Sequence, residues 1–226
     1  MTAAAAKSDL MVRAGSALVM FAIAGVALWL GGIAFALLLL IVGALVLVEF
    51  FGLMQRMSVG AGLALLLRIA GPICVLVAVA GLWYVREALG MTAALWILGM
   101  VWATDIGAYA AGRAFGGARL APAISPGKTW SGLFGGMIAA LVASATIGDR
   151  AGIAGVPLWI GLFMGLIAQM GDLGQSWMKR RAGVKDSGKL IPGHGGAFDR
   201  VDGLIPVAFL LGLMAYAGLI TARAGG

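Results

Sequence analysis

Charged side chains, cysteine and histidine are scarce in this sequence, and each scarcity excludes a class of protein. Asp, Glu, Lys and Arg make up 11% of the 226 residues, whereas a soluble domain carries roughly 25%. Cys74 is the one cysteine, which excludes an intrachain disulfide. His194 is the one histidine, and without a second His or Cys nearby it suits a hydrogen bond within its loop better than a metal site. With 62% hydrophobic residues, the composition is that of an integral membrane protein.

Long apolar runs predict an all-α fold of about seven membrane-spanning helices in a single domain, residues 1–226. The runs cover residues 14–30, 33–54, 60–85, 91–114, 130–147, 153–170 and 204–220. Gly31-Gly32 predicts a tight turn between the first two runs. The first run could be a signal peptide with Ala34-Phe35-Ala36 as its cleavage site, but its length favours an uncleaved span. Arg68 and Pro72 leave two forms open for the third run, a re-entrant piece followed by a span, or one kinked helix.

Residues 171–203 differ from the rest of the chain because they are polar and rich in glycine. They hold six of the 16 Lys and Arg residues, four of the nine acids and the single histidine. If the preceding helix continues past its apolar part, it places a carboxylate, a hydroxyl and two cations on one face. These residues are Asp172, Ser176, Lys179 and Arg180. Asp199 returns after the glycine-rich loop, and two carboxylates from separate segments can hold Mg²⁺ together with waters and substrate phosphates.

Two further acids lie inside apolar runs, where a charge is costly and often functional. Asp105 shares a helix face with Tyr109 and Arg113. Its two explanations are a polar contact to a neighbouring helix and a site acid that faces the same cavity as Asp172. For Glu49, a buried functional role and a position reaching the membrane interface are equally open.

Four consecutive elements of the polar stretch resemble the signature of the phosphatidate cytidylyltransferase (CDP-diglyceride synthase) family. They are Ser176-x-Met178-Lys179-Arg180, Lys185-Asp186-x-Gly188, Pro192-x-His194-Gly195-Gly196 and Asp199-Arg200-Val201-Asp202. Two earlier elements, Asp105-x-x-Ala108-Tyr109 and Ser125-Pro126-x-Lys128-Thr129-Trp130, resemble the family as well. The second of these is not a nucleotide-binding P-loop, since Pro122 stands where the first glycine is needed. Ala197 replaces a larger aliphatic residue of the family, and Ser131 replaces an acid.

The resemblance implies the reaction of CTP with phosphatidate to give CDP-diacylglycerol and pyrophosphate, in phospholipid biosynthesis. Mg²⁺ is the expected metal, with Asp172 and Asp199 as ligands, and a second cation is left open. Lys179 and Arg180 join these two acids as the expected catalytic residues. The expected substrate-binding residues are Asp105, Lys128, Ser176, Lys185, Gly195, Gly196 and Arg200. Arg suits bidentate contacts to phosphate, Lys supplies a point charge, and paired glycines let backbone N–H groups approach a nucleotide.

Charge asymmetry predicts a multi-pass protein of the inner (plasma) membrane whose site faces the cytoplasm. With the N-terminus inside, Arg56 and the loops 113–128 and 179–200 are also inside, and only Arg86, Arg150 and Arg223 are outside. The net charge of +7 is explained by this orientation, so no nucleic-acid partner is expected. The expected partners are CTP, phosphatidate and membrane lipids, and a homodimer is left open.

Three other functions remain open from the sequence. A membrane transporter would use intramembrane acids such as Glu49 and Asp105, although the charge lies at one membrane face and no internal repeat is visible. A cytidylyltransferase for another lipid phosphate, such as an isoprenoid ether lipid, would keep the same site. A paralogue with altered activity is the third.

Overall fold

A computed structural model describes the backbone of residues 3–190 and 195–222, and the side chains from residue 14 onward within these ranges. The described chain is mainly helical, which confirms the helical class of fold. The helices are α1 (Ala3–Leu30), α2 (Gly32–Arg56), α3 (Ala61–Ala88), α4 (Met91–Phe115), α5 (Trp130–Arg150), α6 (Ile160–Arg181), α7 (Phe198–Val201) and α8 (Leu204–Tyr216). Two small antiparallel ribbons were not predicted. One pairs β1 (Arg119–Ala121) with β2 (Ser125–Thr129), and the other pairs β3 (Ile153–Ala154) with β4 (Thr221–Ala222).

Four of the described helices, α2, α3, α4 and α5, are long and apolar enough to cross a membrane. Residues 14–30 of α1 and the whole of α8 are shorter apolar helices. The third apolar run forms one helix, α3, with Pro72 inside it, so no re-entrant piece is present there. At the predicted turn, Gly31 and Gly32 both have positive φ, 63° and 49°, a conformation that glycine adopts without steric cost.

The predicted sixth span, residues 153–170, is wrong at its start. Residues 153–154 form β3, and α6 begins only at Ile160. Gly155, with φ of 84°, and Pro157 separate the two elements, because a left-handed glycine and a proline both interrupt helical hydrogen bonding. Helix α6 then continues past residue 170 to Arg181, as the polar helix face of the sequence requires.

Glycines bring neighbouring helices into backbone contact. A Cβ added to Gly81 of α3 would lie 2.7 Å from Cα of Gly212 in α8, and one on Gly107 of α4 would lie 2.7 Å from the carbonyl oxygen of Gly135 in α5. In a bilayer, close van der Waals packing drives helix association, since lipid is as apolar as the side chains. The glycines therefore set the spacing of the helices that carry the polar residues.

The helix ends form two groups of contacts that differ in chemistry. In one group, Arg86 of α3 donates from Nε to the Leu28 carbonyl at 2.7 Å, and Glu87 accepts from the N–H of Gly32 at 2.8 Å. In the other group, polar side chains form hydrogen bonds that join four parts of the chain. These parts are the end of α2, the β1–β2 ribbon, the end of α6 and the segment around α7. The polar residues of 171–203 thus meet partners from distant parts of the chain.

We expect Gly81→Val to lower the free energy of unfolding by about 1–3 kcal/mol, the usual cost of overpacking. The new side chain would have to displace the backbone of α8 at Gly212. Thermal unfolding in detergent would measure the effect. Gly62→Val in the same helix is the matched control, since nothing lies within 4 Å of a Cβ at that position. Equal losses in the two variants would contradict the close packing of α3 on α8.

Candidate active site

The polar end of α6 has the helix face that the sequence predicts. Asp172 and Ser176 are one turn apart, and the Ser176 hydroxyl donates to Oδ1 of Asp172 at 3.2 Å. One turn further on, Lys179 donates from Nζ to Oδ1 of Asp199 at 2.8 Å. Arg180, the next residue, donates from Nε to the Ile124 carbonyl in the β1–β2 turn at 3.2 Å. Lys179 and Arg180 therefore reach two different parts of the chain, whereas Ser176 bonds within its own helix.

A cavity of about 210 Å³ lies between α4, β2, the start of α5 and α6. Across it, Nζ of Lys128 is 2.6 Å from Oδ2 of Asp172, and the Asp172 side chain is 34% exposed. The polar residues that line the cavity are Asp105, Tyr109, Lys128, Thr129, Gln169 and Asp172. Asp105 thus faces the same cavity as Asp172, as one of its two explanations requires.

Thr129 fixes the wall of this cavity where β2 passes into α5. Its hydroxyl accepts a hydrogen bond from the Gly132 N–H at 3.1 Å and caps the helix. Ser131, which replaces an acid of the family pattern, lies 3.0 Å from the Thr129 hydroxyl and donates to the Gly116 carbonyl. Ser131 therefore ties the ribbon to the end of α4 by neutral hydrogen bonds.

Asp199 is held by four donors. Oδ1 accepts from Nε2 of Gln175 at 3.0 Å and from Lys179, and Oδ2 accepts from the backbone N–H groups of Ser187 at 2.9 Å and Gly196 at 3.0 Å. Its side chain is only 7% exposed. Burial by itself would raise the pKa of Asp199, but the hydrogen bonds from Lys179, Gly196 and Ser187 hold the pKa below its usual value. The carboxylate is therefore ionised and fully hydrogen-bonded.

This arrangement bears directly on the expected roles of Asp199 and Gly196. Each carboxylate oxygen of Asp199 already accepts two hydrogen bonds, so a metal ion would have to displace a donor. The N–H of Gly196 points at Asp199 and, in this arrangement, not at a nucleotide. Gly195 has φ of 83° and supplies the turn that aims that N–H. The pairing of Asp172 with Asp199 around a metal stays a prediction.

Asp202 is the carboxylate that sequence reasoning passed over. It follows α7, and its Oδ1 accepts from the Gly203 N–H at 2.7 Å. Burial, together with the negative charges of Asp172 and Asp105, raises its pKa to about 7, although the Gly203 N–H and Lys179 act in the opposite direction. Asp172, Asp105 and Asp202 therefore share one electrostatic environment. The available signal was a second carboxylate in the element Asp199-Arg200-Val201-Asp202, three residues after Asp199.

Two of the remaining expected residues lie at the protein surface. Lys185 and Arg200 are exposed, at the surface of the glycine-rich loop and of α7. His194 lies outside the described residues. Within the described ranges, no group of three His, Cys, Asp or Glu side chains is drawn together as a ready metal site. The oxygen-only donor set does suit Mg²⁺, which is usually held by one or two carboxylates with waters and phosphates.

Comparison with known proteins gives a consistent result. Residues 57–217 match the model of the Cytidylyltransferase family, a range that includes every residue of the cavity. The chain is similar to the phosphatidate cytidylyltransferase of Brucella suis biovar 1 (strain 1330), with 49% identity over 128 residues, 55% of this chain and 47% of the relative. The protein of the same name from Haemophilus influenzae is 46% identical over 124 residues, 51% of this chain and 42% of the relative. The alignments thus span about half the length of these curated relatives, or somewhat less.

We expect Asp199→Asn to lower the free energy of unfolding by about 3 kcal/mol, as the loss of one member of a buried ion pair does. The amide nitrogen would face at least one donor that now meets a carboxylate oxygen. Thermal unfolding in detergent would measure the loss. Asp172→Asn is the matched control, because that side chain is a third exposed and should change stability little. A larger loss for Asp172→Asn would contradict the organising role of Asp199.

Asp202 predicts a pH dependence of stability in the presence of a chelator. Its folded-state pKa of about 7 lies above the unfolded value of 3.8, so its contribution is complete below the unfolded value and is lost as pH rises towards 7. The melting temperature of the wild type should fall between pH 5 and pH 7, and the fall should be smaller in Asp202→Asn. Asp149→Asn, at the far end of α5, should keep the wild-type slope. Identical slopes in all three proteins would contradict the shift.

Proposed function

The chain belongs to the cytidylyltransferase family, and on this premise we propose that it transfers CMP from CTP to phosphatidate, with CDP-diacylglycerol and pyrophosphate as products. The observation that carries the proposal is the cavity in which Lys128 and Asp172 are paired beside Asp105. It joins a cation and two carboxylates next to helices apolar enough to span a membrane. A lipid phosphate and a metal-bound nucleotide need this combination of groups.

The chemistry requires positive charge and alignment more than a strong base. An ionised phosphate oxygen of the lipid attacks the α-phosphorus of CTP, and the bond from that phosphorus to the pyrophosphate oxygen breaks. Both substrates are anionic, so the protein must mainly neutralise and orient them. Lys128 lies in the cavity and Lys179 lies beside it on α6. Arg180, Lys185 and Arg200 supply further positive charge around the opening.

The carboxylates fit a Mg²⁺ ion. Asp172 is partly exposed in the cavity, and Asp199 is the second ligand that the family resemblance implies. Asp202 is a third carboxylate, and burial together with the negative charge of Asp172 raises its pKa to about 7. Asp172 and Asp199 would hold the ion, which would supply positive charge for the developing pyrophosphate. The part played by the chain itself is to hold Asp172 in the cavity next to Lys128.

The orientation follows from the distribution of basic residues. The helix ends near the site carry Arg56, Arg113, Lys128, Lys179, Arg180 and Arg181, whereas the described opposite ends carry Arg86 and Arg150. By the positive-inside rule this asymmetry supports seven spans in the bacterial inner membrane, with the site facing the cytoplasm. Cytoplasmic CTP and a bilayer lipid would then meet at one interface.

The test is an assay of purified protein in detergent with labelled CTP, phosphatidate and Mg²⁺. We expect CDP-diacylglycerol from the wild type, loss of activity with a chelator, and a decrease of at least about 100-fold in Asp172→Asn, since a proposed ligand of Mg²⁺ is removed. Asp199→Asn should also lose activity.

Asp149→Asn is the control, because about 26 Å of helix α5 separates Asp149 from Gly132 in the cavity wall. Its activity should match the wild type. No product from a well-folded wild type would contradict the proposal, and product from a different lipid phosphate would redirect it to that substrate. Full activity in Asp172→Asn would remove this carboxylate from the mechanism.

A further inference from the structure

Glu49 is buried near the end of α2. Its carboxylate lies against the glycine-rich loop, which is far from it in sequence. Its exposed fraction is 5%, so the alternative in which it reaches the membrane interface is wrong. Oε1 accepts from the Ala197 N–H at 3.0 Å, and Oε2 accepts from the Phe198 N–H at 2.9 Å and from the Ser187 hydroxyl at 2.7 Å. All three of these bonds join residues at least 138 positions apart.

The loop is shaped to receive this side chain. A Cβ on Gly188 or on Gly196 would collide with the Glu49 carboxylate, so only glycine allows the loop to close around it. Neither glycine is required by its backbone conformation, since neither has a positive φ. The absence of side chains at these two positions is therefore explained by Glu49.

Ser187 joins Glu49 to the candidate active site. Its hydroxyl donates to Glu49, and its backbone N–H donates to Asp199. Gly196 likewise donates to Asp199 while packing against Glu49. The two buried carboxylates thus hold the same two loop residues from opposite sides, and Glu49 in addition fixes the first residues of α7, which carries Asp199 and Arg200.

We propose that Glu49 is a positioning residue, which holds residues 187–188 and 196–198, and with them α7, in the arrangement that binds the nucleotide phosphates. The inference rests on the proposed function for the identity of the ligand. Glu49 lies outside residues 57–217, the part matched by the family model. Through Glu49, helix α2 contributes to the site without touching a substrate.

A contact at the start of α2 offers a matched control, the hydrogen bond that Glu87 of α3 accepts there. Glu87 accepts a hydrogen bond from the Gly32 N–H at the start of α2, in the group of contacts remote from the cavity. Glu49→Gln and Glu87→Gln therefore each remove one carboxylate that binds backbone N–H groups. Only the first of these contacts involves the loop, so the pair separates the loss of a cap from the loss of positioning.

Hydrogen–deuterium exchange of the full chain in detergent tests the contact without any need for activity. In Glu49→Gln the amide nitrogen would face at least one donor, so the N–H groups of Ala197 and Phe198 should exchange at least about tenfold faster. In Glu87→Gln the faster exchange should be confined to the region of Gly32. Unchanged exchange at residues 197–198 in Glu49→Gln would overturn the inference.

Steady-state kinetics test the positioning. In Glu49→Gln the KM for CTP at fixed excess Mg²⁺ should rise about tenfold, while the KM for phosphatidate stays near the wild-type value. A smaller folded fraction lowers the apparent kcat but does not raise a KM, so this result separates positioning from loss of fold. Ser187→Ala should shift the CTP KM in the same direction, and the double variant should show less than the product of the two effects.

The outcomes separate the two proposals. Faster exchange with an unchanged KM for CTP would overturn the positioning role and leave the activity intact. An inactive wild type would overturn the proposed reaction, while exchange at residues 197–198 would still decide whether Glu49 anchors the loop. An equal rise of the CTP KM in Glu87→Gln would overturn the inference as well.

Discussion

The burial of two carboxylates against one glycine-rich loop is the constraint on which the candidate site depends. An ionised acid away from water is costly unless hydrogen bonds and cations replace its hydration. Glu49 and Asp199 meet this condition with backbone N–H groups of residues 187 and 196–198, and Asp199 has Lys179 in addition. These hydrogen bonds to both acids fix residues 187 and 196–198, and residues 197 and 198 are where α7 begins.

A second pair of charges has a different character. Lys128 and Asp172 are also in close contact, but both are partly exposed, 20% and 34%, within a cavity. Such a pair can exchange its partner for a phosphate or a metal at a smaller cost than a buried pair. The molecule therefore separates carboxylates that build the loop from a carboxylate, Asp172, that lies partly exposed in the cavity.

Much of the fold was predictable, because apolar periodicity and length are local properties of the chain. The described helices other than α7 lie close to the predicted runs, and α6 continues past residue 170 to carry the predicted polar face as far as Arg180. The start of α6 was missed, since the break depends on Gly155 and Pro157, two residues within an otherwise apolar stretch. The ribbons were missed because pairing between segments such as 153–154 and 221–222 has no local signal.

The site was predictable in its membership and less so in its arrangement. By itself, the sequence determined the helical class, the family resemblance and the residues of the polar stretch, because these follow from composition, spacing and motif. Only the tertiary structure decided that Asp105 and Asp172 line the same cavity. It also decided that Asp199 accepts hydrogen bonds from α6 and from the loop, and that Gly188 and Gly196 pack against Glu49. The physical reason is that a carboxylate's role depends on which donors reach it, and for Glu49 those donors lie well over a hundred residues away in the chain.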